Sequence, residues 1–464
     1  MGRFAFITAC LCLCLPTFAQ VPQIDEQLRV NLIELEVKAF DLMGNFVSGL
    51  SAEDFVVKEN GKVQDLDSLK EIRLDKLSPD DAKDYKSRVM LLLDVINTSY
   101  PVMVKVFPQV RDFIQTSYDG RCEIGLALFT NGIIEVTPFT TDQEELFDAV
   151  DRAEDFHRRN KLRAYGKPGT DNGGLSDRFI SDYHRPSFDV FAQFASYLGA
   201  YTGKKNLIII SERWNAEKFG AETDRDNEKT ISLRDLQTIC LYNKVAINAI
   251  SLTRGTQFQQ SFGPSRRTGT FYLEPSADLA ALTSGVYSKI PLRSVTKSIE
   301  DTIKKAEHYY RIRYYSDYSG DKYRKIQVSV KGLNRIARYT DGYYPRPQEL
   351  IPADVGAKIS FNQDFAFDLE MATEWMHWEW FGWGKRRANY AIAQRAYNPE
   401  GQLLAEHVFF DELAMRSGGY KEPLKKRFVF DLPLAVKPYR FETTILDLST
   451  GKKVDMEQFT KRDR

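Results

Sequence analysis

The sequence predicts an α/β protein in which a doubly wound, mostly parallel sheet is flanked by an N-terminal β module and a C-terminal β-sandwich. Segments with strand spacing and segments with helix spacing alternate throughout residues 88–316, which is typical of a parallel sheet with helices on both faces. On either side of this region the apolar residues follow strand spacing only. A chain of 464 residues is long enough for several domains, since a domain has about 150 residues.

The composition is that of a globular protein without a charge bias. Hydrophobic residues make up 43% of the chain and aromatic residues 12%, which is enough for packed cores. The 64 basic and 64 acidic residues give a formal net charge of zero. Since no global field attracts polyanions, we expect no nucleic-acid partner.

Residues 1–19 have the pattern of a secretory signal peptide. An early arginine precedes an apolar run that ends in a proline and small residues. No later segment has the length of a membrane span. We therefore expect an exported protein, periplasmic or extracellular, with no transmembrane segment. The mature chain would keep Cys122 and Cys240, and the apolar run beside each favours buried free thiols over a disulfide.

The N-terminal β module is predicted to cover residues 28–75. Alternating apolar and charged residues at 30–40 indicate a half-buried strand, and Asn60-Gly61 is typical of a tight hairpin turn. A charged segment at 77–87 separates this module from the central region.

The central region, residues 88–316, is predicted to contain six strands and six helices. The strands are expected at 88–94, 122–129, 132–136, 206–211, 245–252 and 309–315. The helices are expected at 102–118, 143–156, 187–200, 233–244, 278–283 and 294–308. The polar, glycine-rich segment 157–186 is predicted to be a long loop, which in a compact domain indicates function.

The C-terminal part is predicted to contain strands only. Residues 317–345 form an extension that closes the N-terminal and central unit, and residues 352–464 form a separate β-sandwich. Its strands are expected at 359–369, 375–381, 390–397, 427–432 and 439–446. The basic triplet 385–387 is predicted to lie in a solvated turn.

An aromatic cluster lies within the predicted sandwich, and two interpretations of it stay open. The cluster consists of Trp375, Trp378, Trp380, Phe381 and Trp383. Strand alternation places Met376, Trp378 and Trp380 on one face, which favours a packed core. The alternative is an exposed aromatic platform that binds glycans or a membrane interface.

The candidate site follows the first central strand. Five apolar residues end on Asp94, and Asn97, Thr98 and Ser99 come directly after it. In an open α/β sheet, ligands bind at the carboxyl ends of the strands. The alternative interpretation is that Asp94 and Thr98 only cap the next helix.

Several short segments, taken together, carry a family resemblance. They are residues 30–37, 47–55, 59–62 (Glu-Asn-Gly-Lys), 91–94 (Leu-Leu-Leu-Asp) with 97–98, 203–211, 309–310, 323–328 and 342–344. In this order and spacing they resemble the von Willebrand factor A-like proteins grouped as the VWFA-related acidobacterial domain family. The resemblance covers residues 28–345 and, more weakly, the tail up to Asp447–Gly451.

The resemblance implies a von Willebrand A fold, whose usual site is a metal-ion-dependent adhesion site. In such a site Mg²⁺ binds hard oxygen ligands, and a carboxylate of the partner completes its shell. The usual first motif is Asp-x-Ser-x-Ser. Here Asp94 matches the aspartate, Ile96 replaces the first serine and Thr98 takes the position of the second.

The remaining ligands of the family site are matched less well. Ser187, at the start of its predicted helix, matches the loop threonine better than Thr170 does, and Ser211-Glu212 stand in place of the later aspartate. The resemblance thus implies a degenerate site that binds Mg²⁺ or Mn²⁺ or, as the favoured alternative, no metal. The implied metal ligands are Asp94, Thr98, Ser187 and Glu212, and the implied partner-binding residues are Asn97, Ser99, Thr170 and Ser211.

The function expected from the sequence is protein binding, in adhesion or assembly, by a protein that is not an enzyme. The sequence segments typical of serine hydrolases, zinc peptidases, phosphate loops and dithiol redox sites are absent from the mature sequence. Two alternatives stay open. One is a secreted hydrolase with a non-sequential site in residues 157–186, where His184 lies near Asp182, and the other is glycan binding through the C-terminal tryptophans.

Overall fold

The computed structural model describes most of the chain from residue 31 to residue 459. The described ranges are 31–76, 87–130, 132–164, 187–212, 232–253, 275–316, 322–345, 358–361, 366–380, 385–416, 424–429 and 438–459. The predicted signal peptide, Thr170, Phe381, Trp383, Asp182 and His184 lie outside these ranges.

In the part of the chain that the structure describes, the central sheet has six strands, five of them parallel. They are β5 (Ser87–Asp94), β6 (Glu123–Phe129), β7 (Ile133–Thr140), β8 (Lys204–Ser211), β9 (Val245–Thr253) and β10 (Tyr287–Pro291). Their order is β10-β9-β8-β5-β6-β7, and only β7 runs antiparallel to its neighbour. The predicted doubly wound, mostly parallel sheet is confirmed, and β5 lies in its middle because its residues are apolar enough to be covered on both faces.

Within the described ranges, six helices cover the two faces of this sheet. They are α1 (Tyr100–Thr116), α2 (Gln143–Ala164), α3 (Ser187–Gly199), α4 (Leu233–Tyr242), α5 (Pro275–Leu282) and α6 (Val295–Ala306). Helices α1, α2 and α6 share one hydrophobic core with the sheet, and α3, α4 and α5 share the other. The crossovers between parallel strands supply helices to both sides, as expected for this fold class.

Three details of the central region differ from the sequence prediction. Helix α2 continues to Ala164, so the first part of the predicted loop at 157–186 is helical, and residues 165–186 lie outside the description. Strand β10 was not predicted because its burial is only partial. The strand predicted at 309–315 does not join the central sheet, as the pairing of the N-terminal module shows.

The N-terminal module consists of two packed four-stranded sheets. Its strands are β1 (Asn31–Phe40), β2 (Phe55–Glu59), β3 (Lys62–Val63), β4 (Leu66–Arg73), β11 (His308–Ser316), β12 (Arg324–Val330), β13 (Ile336–Arg338) and β14 (Gly342–Tyr343). Short 3-10 turns lie in the module at Ala52–Asp54 and Leu74–Lys76, and another lies in the central region at Leu292–Ser294. The sheet orders are β13-β1-β11-β4 and β14-β12-β2-β3. Strand β11 pairs with β1 and β4, so the module is built from both ends of the 31–345 segment.

The segments that carry the family resemblance contact one another in this module. The Tyr310 hydroxyl donates to Val47 O (2.8 Å) and accepts from Leu50 N (3.0 Å). The buried carboxylate of Glu59 accepts from Ser316 Oγ and from the Tyr343 hydroxyl, both at 2.7 Å. Segments that are far apart in the sequence are therefore tied together by buried polar side chains, which need such partners.

The C-terminal part contains two further antiparallel sheets around a core of its own. Its strands are β15 (Lys358–Phe361), β16 (Ala366–Met371), β17 (Glu379–Trp380), β18 (Lys385–Tyr397), β19 (Leu403–Arg416), β20 (Leu424–Val429), β21 (Arg440–Asp447) and β22 (Lys453–Phe459). One sheet has the order β15-β16-β20, and the other has the order β17-β18-β21-β22 with β19 paired to β18. The sequence prediction missed β19 and β22.

Two predictions for the C-terminal part were wrong in detail. The strand expected at 375–381 is reduced to Glu379–Trp380, and a turn precedes it. The basic triplet does not form a solvated turn: β18 begins at Lys385, and Arg387 is 1% exposed. The Arg387 guanidinium lies 3.8 Å from Glu412 on the neighbouring strand, so cross-strand charge pairing replaces solvation.

The C-terminal part packs against the α3 side of the central domain. Ala391, Ala393, Leu446 and Leu448 belong to the same hydrophobic core as Phe194 and Tyr197 of α3. A buried polar contact, which we call the Glu406 clamp, lies beside this core and consists of Glu406, Arg88, Arg395 and Thr202. The C-terminal part is thus docked on the central domain by apolar and ionic contacts together.

The Glu406 clamp satisfies both carboxylate oxygens of Glu406. Arg88 Nη2 and Arg395 Nε each lie 2.7 Å from one oxygen, and Thr202 donates its backbone N–H (3.0 Å) and its hydroxyl (3.1 Å). Burial alone would raise the pKa of Glu406, but Arg88 and Arg395 lower it. The carboxylate therefore stays charged between the two guanidinium groups.

The cysteines and the length of the helices were two further subjects of the sequence analysis. Cys122 and Cys240 are buried free thiols, as predicted. Among the described helices, none is both long enough and apolar enough to cross a membrane.

Removing the charge of the Glu406 clamp should destabilise the protein strongly. We expect Glu406→Gln to lower the free energy of unfolding by about 3–5 kcal/mol, since two buried guanidinium groups lose their common carboxylate. Urea unfolding measures this change. Glu457→Gln, which removes a carboxylate paired with Arg440 on the surface, is the control and should cost less than about 1 kcal/mol. Equal losses in the two variants would contradict this role of the clamp.

Candidate functional site

The candidate site lies where β5 and β8 end side by side. These parallel strands are paired so that Leu93 lies opposite Ile210, which places Asp94 beside Ser211 at the carboxyl edge of the sheet. The Ser211 hydroxyl donates to Asp94 Oδ2 at 2.8 Å. The structure thus brings together the two polar strand ends that the sequence predicted to meet.

Asp94 is fully buried and accepts four hydrogen bonds. Its Oδ1 accepts from Ile96 N (3.2 Å) and Asn97 N (2.9 Å), and its Oδ2 accepts from Asn97 Nδ2 (3.0 Å) and from Ser211 Oγ. Burial raises the pKa of Asp94, while the hydrogen bonds from Asn97 and Ser211 lower it in part. The carboxylate holds the turn that follows β5 closed against the end of β8.

Glu212 makes a second connection between the same two loops. Its Oε2 accepts from Ser99 N (3.1 Å) and Ser99 Oγ (2.8 Å), and its own backbone N–H donates to Thr98 Oγ1 (3.0 Å). Ser99 is the N-cap residue of α1. The positive end of the helix dipole favours a negative charge at this position, so the Glu212 carboxylate stabilises the start of α1. We call the contacts of Asp94 and Glu212 together the edge latch.

Ile96 lies between these two connections and points outward. Its side chain is 40% exposed, whereas Thr98 and Ser211 are buried. At the position where an adhesion site has a hydroxyl ligand, this chain therefore presents an apolar surface to solvent.

The hydrogen bonds of the edge latch do not fit a bound Mg²⁺ or Mn²⁺. A carboxylate has about four lone-pair positions, and all four of Asp94 are used by protein donors. Thr98 Oγ1 accepts from Glu212 N, and the side chain of Ile96 offers no oxygen. A cation at Asp94 would have to displace protein donors whose groups are already buried and paired.

The other predicted site residues are placed only in part. Ser187 is the first residue of α3, and Thr170 lies outside the described residues. Within the described ranges, no group of three or more His, Cys, Asp or Glu side chains converges as metal ligands do.

His157 is a neighbour of the site that the sequence analysis passed over. Its ring stacks on Tyr100 at the start of α1, with centroids 4.9 Å apart and 21° between the planes. The available signal was helical spacing, since Val150, Ala153 and His157 follow the buried face of α2. His157 therefore fixes the orientation of α1 against α2 close to the edge latch.

Comparisons with known proteins give no family assignment. No protein-family model matches the chain, and no curated protein matches it. Similar solved structures include an aerotolerance-related membrane protein from Bacteroides fragilis, at 13% identity over 47% of this chain and 99% of that chain, with a TM-score of 0.28. BatB from Bacteroides thetaiotaomicron is 13% identical over 47% of this chain and 98% of its own, with a TM-score of 0.29.

A third similar structure is the vWF domain of the type V pili tip protein Mfa5 from Porphyromonas gingivalis. It is 8% identical over 48% of this chain and 97% of its own, with a TM-score of 0.28.

The aromatic cluster of the C-terminal part is described in part, and its members Trp375 and Trp378 pack inward. Trp375 and Trp378 contact the core around Phe367 and Tyr390. The Trp378 indole N–H donates to Thr373 O at 3.1 Å. These contacts agree with the core interpretation of these two tryptophans.

The hydrogen bonds of Asp94 predict different effects for two substitutions. Asp94→Ala should lower the free energy of unfolding by about 3 kcal/mol, since buried donors lose their acceptor. Asp94→Asn should cost only about 1 kcal/mol, because the Ser211 hydroxyl can rotate and the Asn97 amide can flip to accept from the new amide. Urea unfolding at neutral pH compares the two variants.

Because the pKa of Asp94 is raised, the stability of the folded protein depends on pH. Since the folded protein binds this proton more tightly than the unfolded chain, the contribution of Asp94 to stability falls as pH rises from the unfolded pKa of about 3.9 through the folded value. The Asn variant should lack this fall. The structure of the latch would be contradicted if the Asn variant lost as much stability as the Ala variant.

Proposed function

We propose that this chain is an exported, von Willebrand A-like protein that binds a protein partner at the carboxyl edge of its central sheet without a metal ion. The observation that carries the proposal is the complete set of protein hydrogen bonds on Asp94. The order of the central sheet, with one antiparallel edge strand, and the sequence resemblance support the fold assignment.

The edge latch would act by pre-organising the binding surface. Asp94 and Glu212 hold the turn between β5 and α1 in one conformation before any partner arrives. A surface that is already ordered loses little entropy on binding. Binding rather than catalysis is inferred because both carboxylates are engaged in holding loops.

The contact residue that this geometry offers is Ile96. An apolar side chain that projects from a rigid polar surround is a suitable centre for a protein interface, whose core is depleted of charge. In a site without a cation, the carboxylates of Asp94 and Glu212 disfavour an acidic partner group. The partner is therefore expected to contribute an apolar side chain here.

Placing a charge at residue 96 should weaken partner binding strongly. Ile96→Asp is expected to reduce capture of the partner at least tenfold, since the interface would bury an unpaired charge beside two carboxylates. The measurement is quantitative mass spectrometry of proteins captured from the exported fraction of the source cells. Leu333→Asp, at an apolar residue 93% exposed on the N-terminal module, is the matched control and should capture as the wild type does.

Asp94→Asn separates the proposal from a metal-dependent mechanism. It keeps the shape of the latch but removes a metal ligand, so capture should persist within about threefold of the wild type. Loss of capture in Asp94→Asn, or unchanged capture by Ile96→Asp, would refute the proposed mode of binding.

A further inference from the structure

Lys205 is a buried lysine at the interface between the central domain and the C-terminal part. Its side-chain nitrogen Nζ donates to two backbone carbonyls, Tyr201 O at 2.9 Å and Gly203 O at 2.8 Å. Among the described residues, no carboxylate lies within ion-pairing distance of it. A buried ammonium without a carboxylate partner is costly, and burial favours its uncharged form.

The acceptors of Lys205 belong to the turn that the Glu406 clamp holds. In this turn, Ala200 O accepts from Arg395, Thr202 O accepts from Arg88, and Thr202 N donates to Glu406. The turn joins α3 to β8, and its neighbours across the interface are β18 and β19. A change in charge at Lys205 therefore acts directly on the contacts that dock the C-terminal part.

The charged groups that act on Lys205 come from three strands and one connecting turn, and three of the four are cations. They are Arg88 on β5, Lys244 between α4 and β9, Arg395 on β18 and Glu406 on β19. Glu406 is shared by two guanidinium groups, so it compensates a third cation only in part.

We propose that Lys205 is a proton-operated switch of this interface. The uncharged amine keeps the C-terminal part docked on the central domain, and protonation adds a third cation beside Arg88 and Arg395 and weakens the docking. The switch depends only on the interface and is independent of the binding function proposed for the edge latch.

The direction of the pKa shift supports this assignment. Burial, and after it the charge of Arg88, lowers the pKa of Lys205 to about 7, and Glu406 opposes the shift. The exposed form of Lys205 would titrate near its usual value of about 10.4. As pH rises, Lys205 loses its proton in the docked state before it does so in the undocked state. Docking therefore strengthens as pH rises above about 7 and is weakest below it.

Hydrogen–deuterium exchange of the full chain tests the switch. In the wild type, the protection factors of β18 and β19 should rise about tenfold for each pH unit between pH 7 and 9, since undocking takes up one proton. Lys205→Met should show high protection without this pH dependence. Lys305→Met, at an exposed lysine on α6, is the control and should keep the wild-type slope.

A second variant keeps the test decisive if Lys205→Met does not fold. Lys205→Arg carries a permanent charge, so its β18 and β19 should show low protection that is independent of pH. A wild type without the slope, a Lys205→Met variant that keeps the slope, or a Lys205→Arg variant as protected as the wild type at pH 9 would each overturn the proposal.

Discussion

Strand β5 carries a buried charge at each of its ends, and the compensation of these two charges organises the structure. At the amino end, Arg88 is held by Glu406 of the C-terminal part and by Glu123 of the neighbouring strand. At the carboxyl end, Asp94 is held by the turn that follows it and by Ser211. A strand buried on both faces can carry a charge only where such partners exist, so both ends are fixed in position.

The two ends serve different parts of the molecule. The amino end connects the central domain to the C-terminal part, where α3 and β18 share one hydrophobic core beside the Glu406 clamp. The carboxyl end shapes the loops at which ligands bind in folds of this class. Helix α3 ends at Gly199, directly before the turn whose Ala200 and Thr202 bind Arg395 and Glu406 of the C-terminal part. The C-terminal part is thus an integral element of the fold and not a tethered module.

The sequence was sufficient for five of the six described strands of the central sheet, β5 to β9, because their signals are local. Buried parallel strands such as β5 and β8 are continuous apolar runs, and the helices between them show clear helical spacing. Strand β11 shows where this reasoning ends: its alternation predicts a strand, but its partners β1 and β4 lie more than two hundred residues away in sequence. Long, partly exposed strands such as β19 also have weak alternation.

The site was predicted only in part, and its chemistry was not predicted. Ser187 is placed only as the first residue of α3, and Thr170 lies outside the described residues. Asp94, Thr98, Ser211 and Glu212 do meet, because parallel strands end at one edge. Their hydrogen bonds could not be inferred from the sequence, since spacing does not say whether a carboxylate faces a cation or a set of N–H and O–H donors. The burial of Arg387 and Lys205 was missed for a similar reason: a basic residue is read as exposed unless its distant partners are known.

The central claim is that the edge latch is complete without a metal ion, and isothermal titration of Mg²⁺ and Mn²⁺ into the purified protein tests it most directly. A site whose carboxylate already accepts four hydrogen bonds should give no saturable heat up to millimolar metal. Saturable binding of one ion per chain that is lost in Asp94→Ala would contradict the claim, and would return the site to the metal-dependent class that the sequence resemblance implies.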